Sequence, residues 1–176
     1  KKFDTAQDHK RVLEGDKGKN TGGMGAYSPS RLISEDLQKK IIDKIIKPTL
    51  KGLSEMGTEY KGFLYAGLMI INNEPFLIEY NVRMGDPECQ VILPRLETDL
   101  VKIIINTIGN KLKKIKVKWK KKKSMTIVLC SKGYPGKYKK NKIINNLNKL
   151  KLTKNDFIYH AGTKFNNEVL LSNGGR

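Results

Sequence analysis

The chain is 176 residues long, 38% hydrophobic and 30% charged, which is enough apolar material for one globular domain and a small second one. No apolar run approaches the ~18 residues of a membrane span, and the start, Lys1 to Asp8, has no signal-peptide core, so the expected location is the cytoplasm, with no membrane partner. The formal net charge of +18 raises nucleic acid as a partner, yet there is no RNP box, no C2H2 spacing and no aromatic-interleaved basic strand.

Much of that charge is lysine scattered among Asn and Ile, as in Lys139 to Lys151. All three residue types have A/T-rich codons, so base composition competes with ligand binding as the cause, and we expect no specific nucleic-acid partner. Cys89 and Cys130 lie far apart without CxxC or Cys/His clustering, as expected of free thiols in a reducing compartment. The chain starts without methionine and ends on Asn-Gly-Gly-Arg, which reads as a fragment truncated at both ends.

Thr5 to Val12 is a candidate strand in which Asp8 and Lys10 share one face and His9 and Arg11 the other. His9 alone reads as structural or surface-exposed. Glu14 to Ser30 carries glycines at 15, 18, 22, 23 and 25 and shows no helix or strand pattern. It contains neither a P-loop nor a dinucleotide fingerprint. The stretch is either plain turn or a loop whose exposed N–H groups cradle an anion.

Ser34 to Met56 predicts a helix, with Ser34 as N-cap, Glu35 and Asp36 at the positive end of the dipole, and apolar spacing through Leu37, Ile41, Ile45, Leu50 and Leu53. Pro48 should kink or divide it and Gly57 should close it. Gly62 to Ile71 predicts an apolar strand, Asn72 to Pro75 a turn, and Phe76 to Asn81 the returning strand of an antiparallel hairpin. Glu88 to Asn110 predicts a second helix, with Pro94 near its first turns.

Phe76 to Glu88 carries the most informative chemistry. Strand alternation sends Glu79 and Asn81 to one face and Ile78 and Tyr80 to the other. Residues i and i+2 lie about 6.6 Å apart, so a carboxylate and an amide oxygen can meet at one magnesium ion, whose ligands sit at about 2.1 Å and commonly include water and phosphate. The competing reading makes them the solvent face of a half-buried strand. Arg83, Asp86 and Glu88 follow on a loop, because Gly85 and Pro87 disfavour further strand.

Lys111 to Lys123 is the densest charge run and reads as a solvated connector in preference to a nucleic-acid stripe. Beyond it, strands are expected at Ser124 to Ser131, Phe157 to Thr163 and Glu168 to Leu171, with a turn at Gly133 to Gly136. The expected organisation is residues 1–110 as part of one domain, 111–123 as connector and 124–176 as an incomplete, small β-rich domain.

Ala6-Gln7-Asp8-His9-Lys10-Arg11-Val12, Asn20-Thr21-Gly22-Gly23-Met24-Gly25-Ala26-Tyr27-Ser28-Pro29, Gly62 to Met69 and Glu79 to Glu88 closely resemble the phosphoribosylamine-glycine ligase family of ATP-grasp enzymes. Gly133-Tyr134-Pro135-Gly136, His160-Ala161-Gly162-Thr163 and Asn173-Gly174-Gly175-Arg176 continue the resemblance in order.

The resemblance implies an α+β fold: an ATP-grasp core of antiparallel sheet with helices, then a small β-rich C-terminal domain. It further implies that ATP activates glycine as an acyl phosphate attacked by 5-phosphoribosylamine, giving glycinamide ribonucleotide, ADP and phosphate in purine synthesis. Glu79 and Asn81 match the family's ligands for Mg2+ or Mn2+. Arg83 and Asp86 are the implied catalytic residues, and Asp8, Lys10, Thr21, Gly22, Gly23, Met24, Gly25 and Glu88 the implied substrate-binding ones.

The implied partners are small molecules (ATP, glycine and 5-phosphoribosylamine), and a monomer is expected. Many ATP-grasp enzymes carry another metal carboxylate on the preceding strand, but Phe63 to Ile71 contains none, so the metal would rely on water, phosphate or Asp86. The family's N-terminal domain and nucleotide lid are not in this sequence, so no ligase activity is expected of the chain alone. Another ATP-grasp carboxylate-amine ligase and a basic nucleic-acid-binding module are the alternative readings.

Overall fold

Helices and hairpins alternate along residues 1–176, the span described by the computed structural model. Two units form, each from separate stretches of sequence. The first comprises Lys1–His9 and Gly25–Thr126, the second Lys10–Met24 and Ile127–Arg176. No helix is long and apolar enough to cross a membrane.

The first unit begins with β1 (Gln7–Asp8), which pairs antiparallel with β4 (Gly25–Ser28) so that Asp8 faces Ala26. β7 (Ser124–Ile127) completes this sheet in the order β1-β4-β7. The strand expected over Thr5 to Val12 is therefore broken at His9 and Lys10. Its second half, β2 (Arg11–Leu13), turns away to pair with β3 (Lys17–Asn20). The Gly-rich stretch also differs from expectation, since it contains β3 and β4. Glycine erases the side-chain alternation that marks a strand, but its N–H and C=O still enter a ladder.

The predicted long helix forms in three pieces. α1 (Glu35–Ile41) is capped by the Ser34 hydroxyl, which accepts from the Leu37 N–H at 3.2 Å, and buries Leu37 and Ile41. A π-helical stretch, Ile42–Ile46, follows, and α2 (Lys47–Glu55) continues with Pro48 in its first turn. Pro48 cannot donate to a carbonyl one turn back; the wider turn, in which Lys47 N–H reaches Ile42 O, accommodates it. α2 ends in a Schellman arrangement, with Thr58 N–H on Leu53 O at 2.9 Å and Gly57 N–H on Ser54 O at 3.0 Å. This closure needs the left-handed backbone of Gly57, φ 78°.

β5 (Tyr65–Ile71) and β6 (Glu74–Asn81) form the expected hairpin through a tighter turn, Asn72 and Asn73, both with positive φ. Pairing runs from Ile71 opposite Glu74 to Tyr65 opposite Asn81, with an irregularity that leaves Ile78 as an extra residue in β6. Glu74 is tied to the helices by Lys40 and by Lys44 at 3.0 Å.

The helix predicted over Glu88 to Asn110 is interrupted. α3 (Cys89–Ile92) passes into a 3-10 turn, Leu93–Arg95, and α4 (Leu100–Ile108) starts anew with the Asp99 carboxylate accepting from Lys102 N–H at 2.7 Å. Pro94 ends the first helix and Asp99 nucleates the second. The break turns Arg95 inward. It is 5% exposed, pairs with Asp4 at 2.6 Å, and donates to Ser28 Oγ and Lys122 O, each at 2.7 Å.

Thus the lysine run is more than a solvated tether. Ile115 is buried, Trp119 bridges to Leu96 and meets Phe3 edge-on at 5.3 Å, and the core around Ala26, Val91 and Ile92 includes Trp119, Phe3, Ala6 and Met84.

In the second unit, β8 (Thr163–Asn166) and β9 (Val169–Ser172) pair across Asn167 and Glu168, both with positive φ. The strand expected at Phe157 to Thr163 is irregular until Thr163, because the turn at 167–168 places the pairing segments either side of itself. β7 is likewise shorter than the expected Ser124 to Ser131.

Removing Arg95 leaves the half-buried Asp4 carboxylate and several buried acceptors without their donor. Arg95→Ala should lower stability by about 3–5 kcal/mol, measured by urea unfolding, whereas a change below about 1 kcal/mol would contradict this role. A milder pair tests the helix. Gly52 lies in α2 with open space around its Cα, so Gly52→Ala should stabilise by about 0.5–1 kcal/mol. Gly57→Ala should destabilise by about 1 kcal/mol at its φ of 78°; equal signs for the two would exclude the cap.

Candidate active site

The hairpin supplies the first two groups. Tyr80 points to the helices, where its hydroxyl bonds with Thr49 Oγ1 and donates to Ile45 O. Alternation then directs Glu79 and Asn81 away from them. The two meet, with Asn81 Nδ2 donating to Glu79 Oε1 at 3.1 Å. Turning the amide by half a rotation, an assignment set by hydrogen-bond partners alone, aims Asn81 Oδ1 to the same side as the carboxylate.

Gly67 lies opposite Glu79 in the ladder, and a Cβ there would come within 3.1 Å of Glu79 Cγ. The missing side chain leaves the carboxylate room to lie over β5. The donor set, one carboxylate and one amide oxygen, suits a hard divalent cation that keeps further positions for phosphate and water. No group of three or more His, Cys, Asp or Glu side chains is disposed to hold a metal, so a cation here would have few protein ligands.

Past the strand, Arg83 is exposed and donates from Nη1 to Met84 O at 3.0 Å. Asp86 is exposed and accepts from Gln90 Nε2 at 2.8 Å across one turn of α3. Glu88 turns inward and is only 3% exposed. Its Oε1 accepts from the Tyr65 hydroxyl, and its Oε2 lies where a Cβ on Gly85 would stand, 2.3 Å away. A side chain at 85 would displace the Glu88 carboxylate from this position.

Tyr65 collects negative charge. Burial, then the hydrogen bond and charge of Glu88, then the charges of Asp8 and Glu79 push its phenol far above the ordinary value. It therefore stays protonated and serves Glu88 as a donor at all ordinary pH. Burial and the charges of Asp86 and Glu88 likewise raise the Cys89 thiol, which keeps it protonated and unreactive. Asp8, Tyr65, Glu79 and Glu88 thus form one acidic neighbourhood in the first unit.

Lys10, Thr21, Gly22, Gly23 and Met24 belong to the second unit, and Gly25 to the first. Thr21 donates to Lys10 O twice, from N–H and Oγ1, both at 2.8 Å. Gly23 N–H donates to Thr21 Oγ1 and Gly22 N–H to the Tyr134 hydroxyl, each at 3.0 Å. These two consecutive amides are already engaged, one within the loop and one by Tyr134, so the loop is not an open anion nest. Sequence reasoning gave no role to Tyr65, Gln90, Tyr134 or Arg176. Tyr65 stood within a matched motif, but a phenol on an apolar strand carries no signal of its partner until the hairpin forms.

Residues 1–89 match the phosphoribosylglycinamide synthetase ATP-grasp (A) domain and residues 124–176 the C domain of the same synthetase. A phosphoribosylamine-glycine ligase of Vigna unguiculata is 49% identical over 99% of this chain and 57% of its own length. One from Brucella melitensis is 41% identical over 98% and 40%, respectively. The chain thus spans about half the length of the curated relatives it matches. The crystal structure of the Thermotoga maritima phosphoribosylamine-glycine ligase superposes with a TM-score of 0.83 at 36% identity, over 99% of this chain and 42% of that one, in keeping with the α+β class. On these matches the chain belongs to the phosphoribosylglycinamide synthetase family.

Proposed function

We propose that this chain forms part of an ATP-dependent ligase that joins glycine to 5-phosphoribosylamine, giving glycinamide ribonucleotide, ADP and phosphate. The observation that carries the reading is the contact of Glu79 and Asn81 on the hairpin face away from the helices, within the segment matched to the ATP-grasp domain. In the first step a glycine carboxylate oxygen attacks the γ-phosphorus and ADP leaves. In the second the amine attacks the acyl carbon, phosphate departs and the nitrogen loses a proton.

Glu79 and Asn81 would hold Mg2+ or Mn2+, which supplies charge neutralisation at the phosphate oxygens. Arg83, on the turn that follows, adds a fixed cation beside the transferring group. Asp86, steadied by Gln90, faces solvent and is the carboxylate available to the glycine ammonium. Asp8, Lys10 and the Thr21 to Gly25 loop orient glycine and phosphoribosylamine. Glu88 contributes from beneath, bracing with Tyr65 the Gly85 turn that carries Arg83 and Asp86. The main catalytic work is positioning and electrostatics, with no covalent enzyme nucleophile.

In the full-length protein, Glu79→Ala and Asn81→Ala should each depress ATP turnover and raise the metal concentration it needs by at least about tenfold. The paramagnetic resonance signal of Mn2+ bound with nucleotide should change in parallel. Wild-type metal dependence in both variants would remove the assignment. Phosphate release should require glycine and phosphoribosylamine together; equal turnover with a different acid and amine would assign the site to another carboxylate-amine ligase.

A further inference from the structure

Three motifs of the resemblance have no role in the chemistry above: Gly133 to Gly136, His160 to Thr163, and Asn173 to Arg176. In the second unit they meet at one place. Gly162 O accepts from Asn173 N–H at 2.7 Å and Gly174 N–H at 3.0 Å. Ser131 holds the same turn from the other side, through Gly175 O at 2.7 Å and Gly174 O at 3.0 Å. A Cβ on Gly175 would stand 2.4 Å from the Tyr134 ring, and one on Gly162 would stand 2.5 Å from Arg176 O. The turn is therefore packed at backbone distance, which fixes where the next residue, Arg176, emerges.

Arg176 then meets the Gly-rich loop. Its Nη1 donates to Gly23 O at 2.9 Å. Its guanidinium lies so close to Gly22 that a Cβ there would stand 2.8 Å from Nε. On the neighbouring amide, the Tyr134 hydroxyl accepts from Gly22 N–H at 3.0 Å. The N–H of Gly22 and the carbonyl of Gly23, on either side of the peptide joining them, are thus held by two side chains more than a hundred residues away in sequence.

From this we infer that Tyr134 and Arg176 are positioning residues for the substrate-binding loop Thr21 to Met24, and that the glycines at 162, 174 and 175 exist to deliver them. The C-terminal segment is then part of the substrate site's scaffold. It acts by setting the loop's peptide planes and touches no reacting atom. This inference rests on the proposed ligase function, because it takes that loop to contact substrate.

The test uses the full-length protein with Tyr134→Phe, Arg176→Lys and Arg176→Ala, assayed against glycine, phosphoribosylamine and ATP separately. Tyr134→Phe removes one hydrogen bond and should raise the KM of the loop-bound substrate by about two- to tenfold, with kcat and the metal requirement little changed. Exchange of the Gly22 amide with deuterium should speed up in the same variant. Arg176→Ala should show the larger KM effect, partly restored by millimolar guanidinium. If Arg176→Ala does not fold, Tyr134→Phe and amide exchange still decide. Wild-type KM values for all three substrates in Tyr134→Phe and Arg176→Lys, with unchanged Gly22 exchange, would overturn the proposal. Absence of ligase turnover in the unmodified protein would instead overturn the function on which it rests.

Discussion

A buried guanidinium organises the first unit. Arg95 joins the N-terminal Asp4, the end of β4 at Ser28 and the carbonyls around Lys120 to Lys122, three segments distant in sequence. Buried charge is costly unless paired and bonded on several sides, so the arrangement tolerates few alternatives. It also sits just beyond α3, whose first turn begins at the Gly85, Asp86 and Glu88 bend. Fastening Arg95 therefore fastens the loop that carries the candidate catalytic groups, while Val91 and Ile92 from the same short helix fill the core.

The hairpin works by a different principle. Its two faces are separated by backbone geometry alone: Tyr80 is bound to the helices, and Glu79 with Asn81 is turned from them. That separation was legible in the sequence, because a period of two depends on no partner. The Ser34 cap and the Gly57 stop were equally legible, each being a local hydrogen-bond arrangement with a residue type that serves it.

What escaped sequence reading was nonlocal. Arg95 reads as a surface residue until Asp4 and Ser28 are seen beside it. The strands within Glu14 to Ser30 have glycine where alternation would announce them, and their pairing partners decide the matter. The turn at Asn167 and Glu168 puts a glutamate at φ 64°, a conformation its residue type does not advertise, so the strands around it were displaced. The continuous helix over Glu88 to Asn110 failed because Pro94 suits a first helical turn and also a last one; tertiary pairing of Arg95 selected the second.

The two units are interleaved along the chain, with crossings between residues 9 and 10, 24 and 25, and 126 and 127. Modular exchange between homologues ordinarily proceeds by trading one contiguous block. Here, grafting the carboxy-terminal portion of a relative would replace Tyr134 and Arg176 yet leave their hairpin, residues 10–24, behind. Such chimeras would inherit mismatched halves of a single scaffold, so an exchange that keeps it whole must carry both stretches together.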